Sequence, residues 1–462
     1  MRDVIQERIP LRFSRRELIS AEQAERIHAL ARRTLQHIGL EIRHPAALDA
    51  LGSHGFRVAG QRVFFDAAIV DAQVEEMRQW IAASASEPPP DDGRLSLGIS
   101  TYSLYIHDVD TGQVVSATTD RLIQMTKLVD TLAEERVHGA PPGIPTEVHP
   151  DLQPLAQYRI AANTARQGAQ PVDPTSARTA PHLLDMAEVM GRPITSLPVY
   201  LVSPLRLGGE SLDVVLACQE RLSHISVSSM PAASATAPVH PFGALALAAA
   251  ETIGGTIAVH ALTGKPVTFG VGVFPFDLRA GAMVFGSPEN LLYQMLCRDL
   301  NRFYGWPWSP APNNTYVMAA LPDLQAAGER AAIMALGASL GARHFGAVGT
   351  LSQDDIFSPV QLLADVEMRD WVERAIQGIW LGEEAVDDWL AEIRDGVEHG
   401  FMGRDSTLDN YLKHTWFPKR FERGAIGAWR DKGEPRLSDR LKDEVRRRIA
   451  SHSFELDAER RR

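Results

Sequence analysis

The chain of 462 residues holds only two cysteines, Cys218 and Cys297. Two thiols are too few for a disulfide framework or a four-cysteine zinc site, so a reducing, cytoplasmic setting is expected and a bound metal is not. Positive charge is also scarce: 47 Lys and Arg against 58 Asp and Glu leave a formal charge of −11. That balance argues against a protein built to grip nucleic acid. Residues 1–16 mix charges of both signs and contain no apolar run, so no secretory signal is read there. The one long apolar stretch, 242–262, is rich in Ala and Gly and carries Glu251 and His260. Few large side chains would face lipid, and a buried helix is expected rather than a membrane span.

What is present is an ordinary globular composition, 45% hydrophobic and 23% charged, enough to bury a large core. Ser20 and Gln23 form a capping-box pair, Ile27, Leu30, Ala31, Leu35 and Ile38 recur at helical spacing, and Gly39 supplies the stop. A short helix follows His44-Pro45, the segments 55–59 and 62–65 read as a hairpin around Gly60-Gln61, and Asp66 caps a helix running to about Ser84. The run Glu87-Pro88-Pro89-Pro90-Asp91-Asp92-Gly93 cannot continue a helix and marks a boundary. A second hairpin is expected from 103–107 and 113–116 around Asp110-Thr111-Gly112.

From about residue 120 the pattern changes to short strand-like segments, 137–140, 169–172, 199–203, 225–230, 267–273 and 344–348, separated by helical ones. Such alternation with near-continuous apolar strands implies parallel pairing covered by helices. The expected fold is therefore α/β, a (β/α)8 TIM barrel over residues 94–380, with a helical and hairpin N-terminal extension over 1–93 and a helical C-terminal extension over 381–462. A doubly wound open sheet is the alternative.

Several motifs fail on inspection. Gly337-Ala338-Ser339-Leu340-Gly341 fits G-x-S-x-G, but strong helix formers precede it, whereas a nucleophile elbow needs a strand-to-helix turn. A small-residue packing face is expected instead. Gly270-Val271-Gly272 lacks the third glycine of a dinucleotide loop, and Gly264-Lys265 is followed by proline. No His-Glu-x-x-His occurs among the fifteen histidines.

In a parallel barrel the working residues sit at strand C-terminal ends. Segments assigned to those ends bring Phe274, Phe276, Asp277, Trp306, Trp308, Arg343, His344 and Phe345. Aromatics make up only 7% of the chain, yet they gather in these places. Each ring alone is as readily core packing; together they would form a wall of π-faces suited to a methylated ammonium, which has no N–H to donate. Asp277 or Glu251 would add a counter-charge, although a structural hydrogen bond is the commoner fate of a carboxylate within an apolar helix such as Glu251.

The central block also resembles the trimethylamine methyltransferase family, through Ser203-Pro204-Leu205-Arg206-Leu207, Met230-Pro231-Ala232-Ala233-Ser234-Ala235-Thr236-Ala237-Pro238-Val239, Gly243-Ala244-Leu245-Ala246-Leu247, Ala250-Glu251, Gly264-Lys265-Pro266-Val267 and Gly286-Ser287-Pro288-Glu289. The resemblance implies a barrel enzyme that moves a methyl group from a methylated amine to a cobalt corrinoid on a separate protein. Founding members use pyrrolysine just ahead of Gln-Ala-Gly-x-Glu; here the segment reads Leu324-Gln325-Ala326-Ala327-Gly328-Glu329, with Leu324 at the matching position. That departure points to the non-pyrrolysine branch, which acts on quaternary amines such as glycine betaine. Betaine-using relatives place an arginine where this chain has Trp306-Pro307-Trp308-Ser309, so Arg343 or His344 would replace the carboxylate anchor, or the substrate has no carboxylate. A homo-oligomer is expected. Direct transfer to tetrahydrofolate and a non-catalytic quaternary-ammonium-binding barrel are the alternatives.

Overall fold

The structure is a computed structural model that describes residues 10–11, 13–84, 91–168, 172–307, 311–381 and 386–461. The first helix, Ala21–His37, begins where the sequence signals it: the Ser20 hydroxyl accepts from Gln23 N–H while the Gln23 side chain accepts from Ser20 N–H. Ile27, Ala31 and Leu35 are buried on its inner face, but Leu30 and Ile38, expected on the same stripe, are exposed. Both expected hairpins form, Arg57–Ala59 with Arg62–Phe64 and Tyr105–His107 with Val114–Ser116.

Two parallel three-stranded sheets carry the centre of the molecule. In one, His224–Ser229 lies between Ser196–Leu201 and Val267–Phe269. In the other, Ser96–Ile99 lies between His344–Val348 and Val137–His138. Asn314 adds a parallel bridge to Gly346. The chain is thus mixed α/β, with helices between parallel strands. The strands are less uniformly apolar than the sequence suggests: Leu197, Val199, Leu201, Ile225 and Val227 are buried, while the alternate residues Ser196, Tyr200, Ser226 and Ser228 are not. Period-two alternation puts these polar residues on the face turned away from the helices. The expected strand at 169–172 falls largely outside the described residues.

The apolar stretch forms one helix, Pro241–Thr263, long and apolar enough to cross a membrane yet mostly buried within the protein. Its small residues have a packing reason. A Cβ on Gly254 would come within 2.7 Å of Leu35, and one on Gly255 within 2.9 Å of Leu201. The helix is therefore wedged between the N-terminal helix on one side and the parallel sheet on the other, in a single core that includes both. Cys218 and Cys297 are free and buried, and burial pushes the Cys297 thiol up to about 12.

Candidate functional site at the strand C-terminal ends

Three loops converge where the parallel strands end. Tyr200 is the penultimate residue of Ser196–Leu201, on the side opposite the buried Val199 and Leu201. Its hydroxyl donates to Asp173 Oδ2 at 2.8 Å, and the hydroxyl of Tyr102, just beyond Ser96–Ile99, donates to the same oxygen at 2.6 Å. Both rings remain solvent-accessible although protein crowds them from the sides. That crowding and the adjacent Asp173 charge raise both phenols far above their ordinary range, so they stay neutral donors. Asp173 Oδ1 accepts no hydrogen bond from the described residues.

A second group of rings comes from the loops that follow. Phe274 packs on Phe285 with centroids 5.3 Å apart, and Phe285 on Tyr316 at 5.4 Å. Burial raises the Tyr316 phenol, with the Ser100 hydroxyl pulling the other way. Asp354 is raised too, first by burial and then by the neighbouring Asp355. The backbone is unusual in the same loops: Leu205, Ser234, Ser352 and Gln353 all have positive φ without being glycine. Such conformations cost of order 1–3 kcal/mol each and gather at functional sites.

Beneath this edge lies Glu251. It is completely buried, and its carboxylate accepts from the Ser203 hydroxyl and from Leu205 N–H, both at 2.8 Å. Burial raises its pKa, partly offset by these hydrogen bonds. It holds the 203–205 turn in place and does not meet Asp173 or the rings.

The other residues singled out in the sequence are dispersed. Phe274 joins the ring cluster. Phe276 and Asp277 lie in the hairpin Phe274–Asp277 with Ala282–Met283; the Phe276 carbonyl accepts from the Ser234 hydroxyl, and the exposed Asp277 accepts from Arg279 N–H. Trp306 donates its indole N–H to Phe269 O at 2.7 Å while its ring packs on the core. Trp308 lies outside the described residues. Arg343, His344 and Phe345 stand at the start of His344–Val348, not at its C-terminal end, which corrects the placement expected of them. Arg343 forms a two-pronged ion pair with Asp91 at 2.7 and 2.9 Å, the His344 imidazole meets Ser96 Oγ at 3.0 Å, and Phe345 is buried in the core. Leu324 is 92% exposed in the first turn of Leu324–Ser339, outside the ring cluster.

Missing from the sequence reading were Tyr102, Asp173, Tyr200, Phe285 and Tyr316. The available signal was positional: Tyr102 and Tyr200 each lie at or just past the end of a strand. Among the described residues no group of three or more His, Cys, Asp or Glu could hold a metal ion.

Loops after the parallel strands thus bring aromatic rings and carboxylates to the strand C-terminal ends, the place where α/β folds carry their ligand sites. The sequence profile described as trimethylamine methyltransferase (MTTB) matches residues 3–462, and the chain belongs to that family. It is 29% identical to the trimethylamine methyltransferase MttB1 of Methanosarcina acetivorans over 311 residues, 65% of this chain and 60% of that protein, so the match spans three-fifths of that relative's length. It is 22% identical to the glycine betaine methyltransferase of Desulfitobacterium hafniense, across 89% of this chain and 88% of the relative. The proline betaine:corrinoid methyltransferase of Eubacterium limosum is also 22% identical, across 94% and 93%. A crystal structure of the Methanosarcina barkeri monomethylamine methyltransferase (MtmB) superposes with a TM-score of 0.45 at 12% identity, covering 95% of this chain and 90% of that one.

Proposed function

We propose that the protein moves a methyl group from a quaternary amine to the cobalt of a corrinoid carried by a separate protein. The observation that carries this reading is the set of rings and carboxylates at the strand ends, in a chain of this family whose relatives include methyltransferases named for glycine betaine and proline betaine. A permanently cationic donor matches that chemistry, since π-faces and carboxylates stabilise a charge that has no N–H to share.

The reaction balances without an acid or base from the protein. The cobalt(I) electron pair attacks one N-methyl carbon and forms the Co–C bond. The N–C pair remains on nitrogen, which departs as a neutral tertiary amine, and the cobalt is formally oxidised to cobalt(III). What the chain contributes is desolvation of the cation and alignment of one N–methyl bond with the incoming cobalt. Pyrrolysine has no task in such a step, which accords with an ordinary leucine at position 324.

The same reading takes residues 94–380 as a (β/α)8 barrel, with 1–93 and 381–462 as extensions. It is supported by the order of the parallel strands, by the parallel bridge from Asn314 to Gly346 of His344–Val348, and by Tyr102 and Tyr200 reaching the same Asp173 oxygen from the two sheets. The expected result is that purified protein, mixed with a cobalt(I) corrinoid protein and a panel of quaternary amines, gives the methyl-cobalt absorption change with at least one of them. No change with any donor overturns the assignment, and methyl transfer to tetrahydrofolate without corrinoid selects the folate alternative.

A further inference from the structure

The loops that follow the parallel strands are strongly unequal in charge. Residues 100–104, 139–152, 173–179, 202–209, 230–240, 270–287, 314–323 and 349–358 contain three cations, Arg178, Arg206 and Arg279, against seven carboxylates, Glu147, Asp151, Asp173, Asp277, Asp323, Asp354 and Asp355. Two of the three cations are turned to other acids. Arg178 pairs with Asp151 at 2.7 Å, and Arg206 faces Glu41 of the N-terminal sheet at 4.0 Å. Arg279 is exposed in the hairpin between Phe274–Asp277 and Ala282–Met283.

Against that background Asp173 is the carboxylate best placed to meet a ligand. It is half-buried, and two phenols clamp one of its oxygens and fix its direction. Both phenols are neutral, so the pair orients the carboxylate without cancelling its charge, and the second oxygen is left uncommitted by the described residues. The two rings flanking it give a cation faces to lie against, and a carboxylate between aromatic rings is a counter-charge that a quaternary nitrogen can approach without hydrogen bonding.

We propose that Asp173, held by Tyr102 and Tyr200, is the counter-charge for the donor's nitrogen, and that the donor is a quaternary ammonium with no carboxylate beside that nitrogen. This rests on the functional reading above and narrows it. A betaine brings its own carboxylate one carbon from the nitrogen, and that group would be driven toward Asp173 in loops where carboxylates outnumber cations and where Arg178 and Arg206 are already turned to other acids. Alkyl or hydroxyalkyl trimethylammonium ions carry no such group.

The test is calorimetric titration of the full-length protein with tetramethylammonium, choline and glycine betaine at matched ionic strength. Tetramethylammonium and choline are expected to bind at least tenfold more tightly than glycine betaine, and Asp173→Asn to weaken tetramethylammonium binding at least tenfold while narrowing that preference. Equal or tighter binding of glycine betaine by the unaltered protein overturns the inference, whatever the fate of the variant. So does a folded Asp173→Asn protein whose tetramethylammonium affinity stays within about twofold. If glycine betaine binds best and yields methyl-cobalt, the functional reading stands and this inference alone falls; if no quaternary ammonium binds, both fall.

Discussion

A carboxylate inside an apolar helix persists only where donors meet it, and Glu251 has two, the Ser203 hydroxyl and Leu205 N–H. Glu251→Ala orphans both in a buried setting, at about 1–3 kcal/mol for each unmet donor, and denaturant melts should show a loss of about 2–6 kcal/mol for the two together. The pH dependence follows from the direction of the shift. The folded carboxyl titrates above its ordinary 4.5, so between 4.5 and the raised value the folded state holds the proton more firmly than the unfolded one. Stability from this group is full below 4.5 and declines as pH rises through that window. Glu251→Gln has no such slope, and its stability relative to the unaltered protein should improve from pH 4 to 8; a constant difference would refute the shift. The hydrogen-bonded role of Glu251 was legible from one residue in an apolar run. The Asp173 cluster was not, because Tyr102 and Tyr200 lie 71 and 27 positions away in sequence, and nothing local marks a meeting of separate loops.

At the scale of the element, the helix Leu324–Ser339 shows what local pattern can decide. Its G-x-S-x-G sequence reads as a packing face, and the structure places a hypothetical Cβ on Gly337 within 2.2 Å of Pro312 O and 2.8 Å of the Phe345 ring. The Ser339 hydroxyl donates back to Ala335 O at 2.5 Å inside the same helix, where no strained turn presents it to a substrate. Gly337→Ala should therefore destabilise by about 1–3 kcal/mol, the usual cost of overpacking, whereas Ser339→Ala should leave the proposed methyl transfer unchanged. Loss of transfer in a folded Ser339→Ala protein would reinstate a nucleophile. Composition marked the buried helix over 242–262, which forms as Pro241–Thr263, since Ala and Gly at close approach are written into the sequence. Strand direction was harder to read: Arg343, His344 and Phe345 belonged to a correctly located strand but were assigned to its wrong end, and the charge on Arg343 goes to Asp91 instead of to a ligand.

Across the whole molecule, the C-terminal region is tied to the parallel-strand body through charge. Arg420, itself buried, reaches Glu135 at 3.0 Å, Glu444 at 2.8 Å and the fully buried Glu367 at 3.5 Å, so one guanidinium joins a turn after Thr119–Thr131, the helix Pro359–Ile376 and the helix Leu437–Ser451. Arg448 also pairs with Glu135 and Glu444. Sequence shows a polar, helical C-terminus, but not which of its many arginines turns inward, because that burial depends in part on Glu135, 285 positions away. Burial alone would push Glu135 and Glu444 up; the arginines outweigh it and hold both carboxyls below the ordinary 4.5. Their contribution is thus complete above pH 4.5 and disappears as pH falls through the depressed values. Arg420→Met leaves three carboxylates facing one another with one of them sealed from water, a break that costs about 3–5 kcal/mol. Chemical denaturation at pH 7 should record that loss, and as pH falls below 4.5 through the depressed values the gap between variant and unaltered protein should narrow, because protonation relieves the repulsion in one and forfeits the attraction in the other. A gap that is small at pH 7, or that widens in acid, would mean that the C-terminal helix is held by its apolar contacts through Leu441 and Val445 and not by this network.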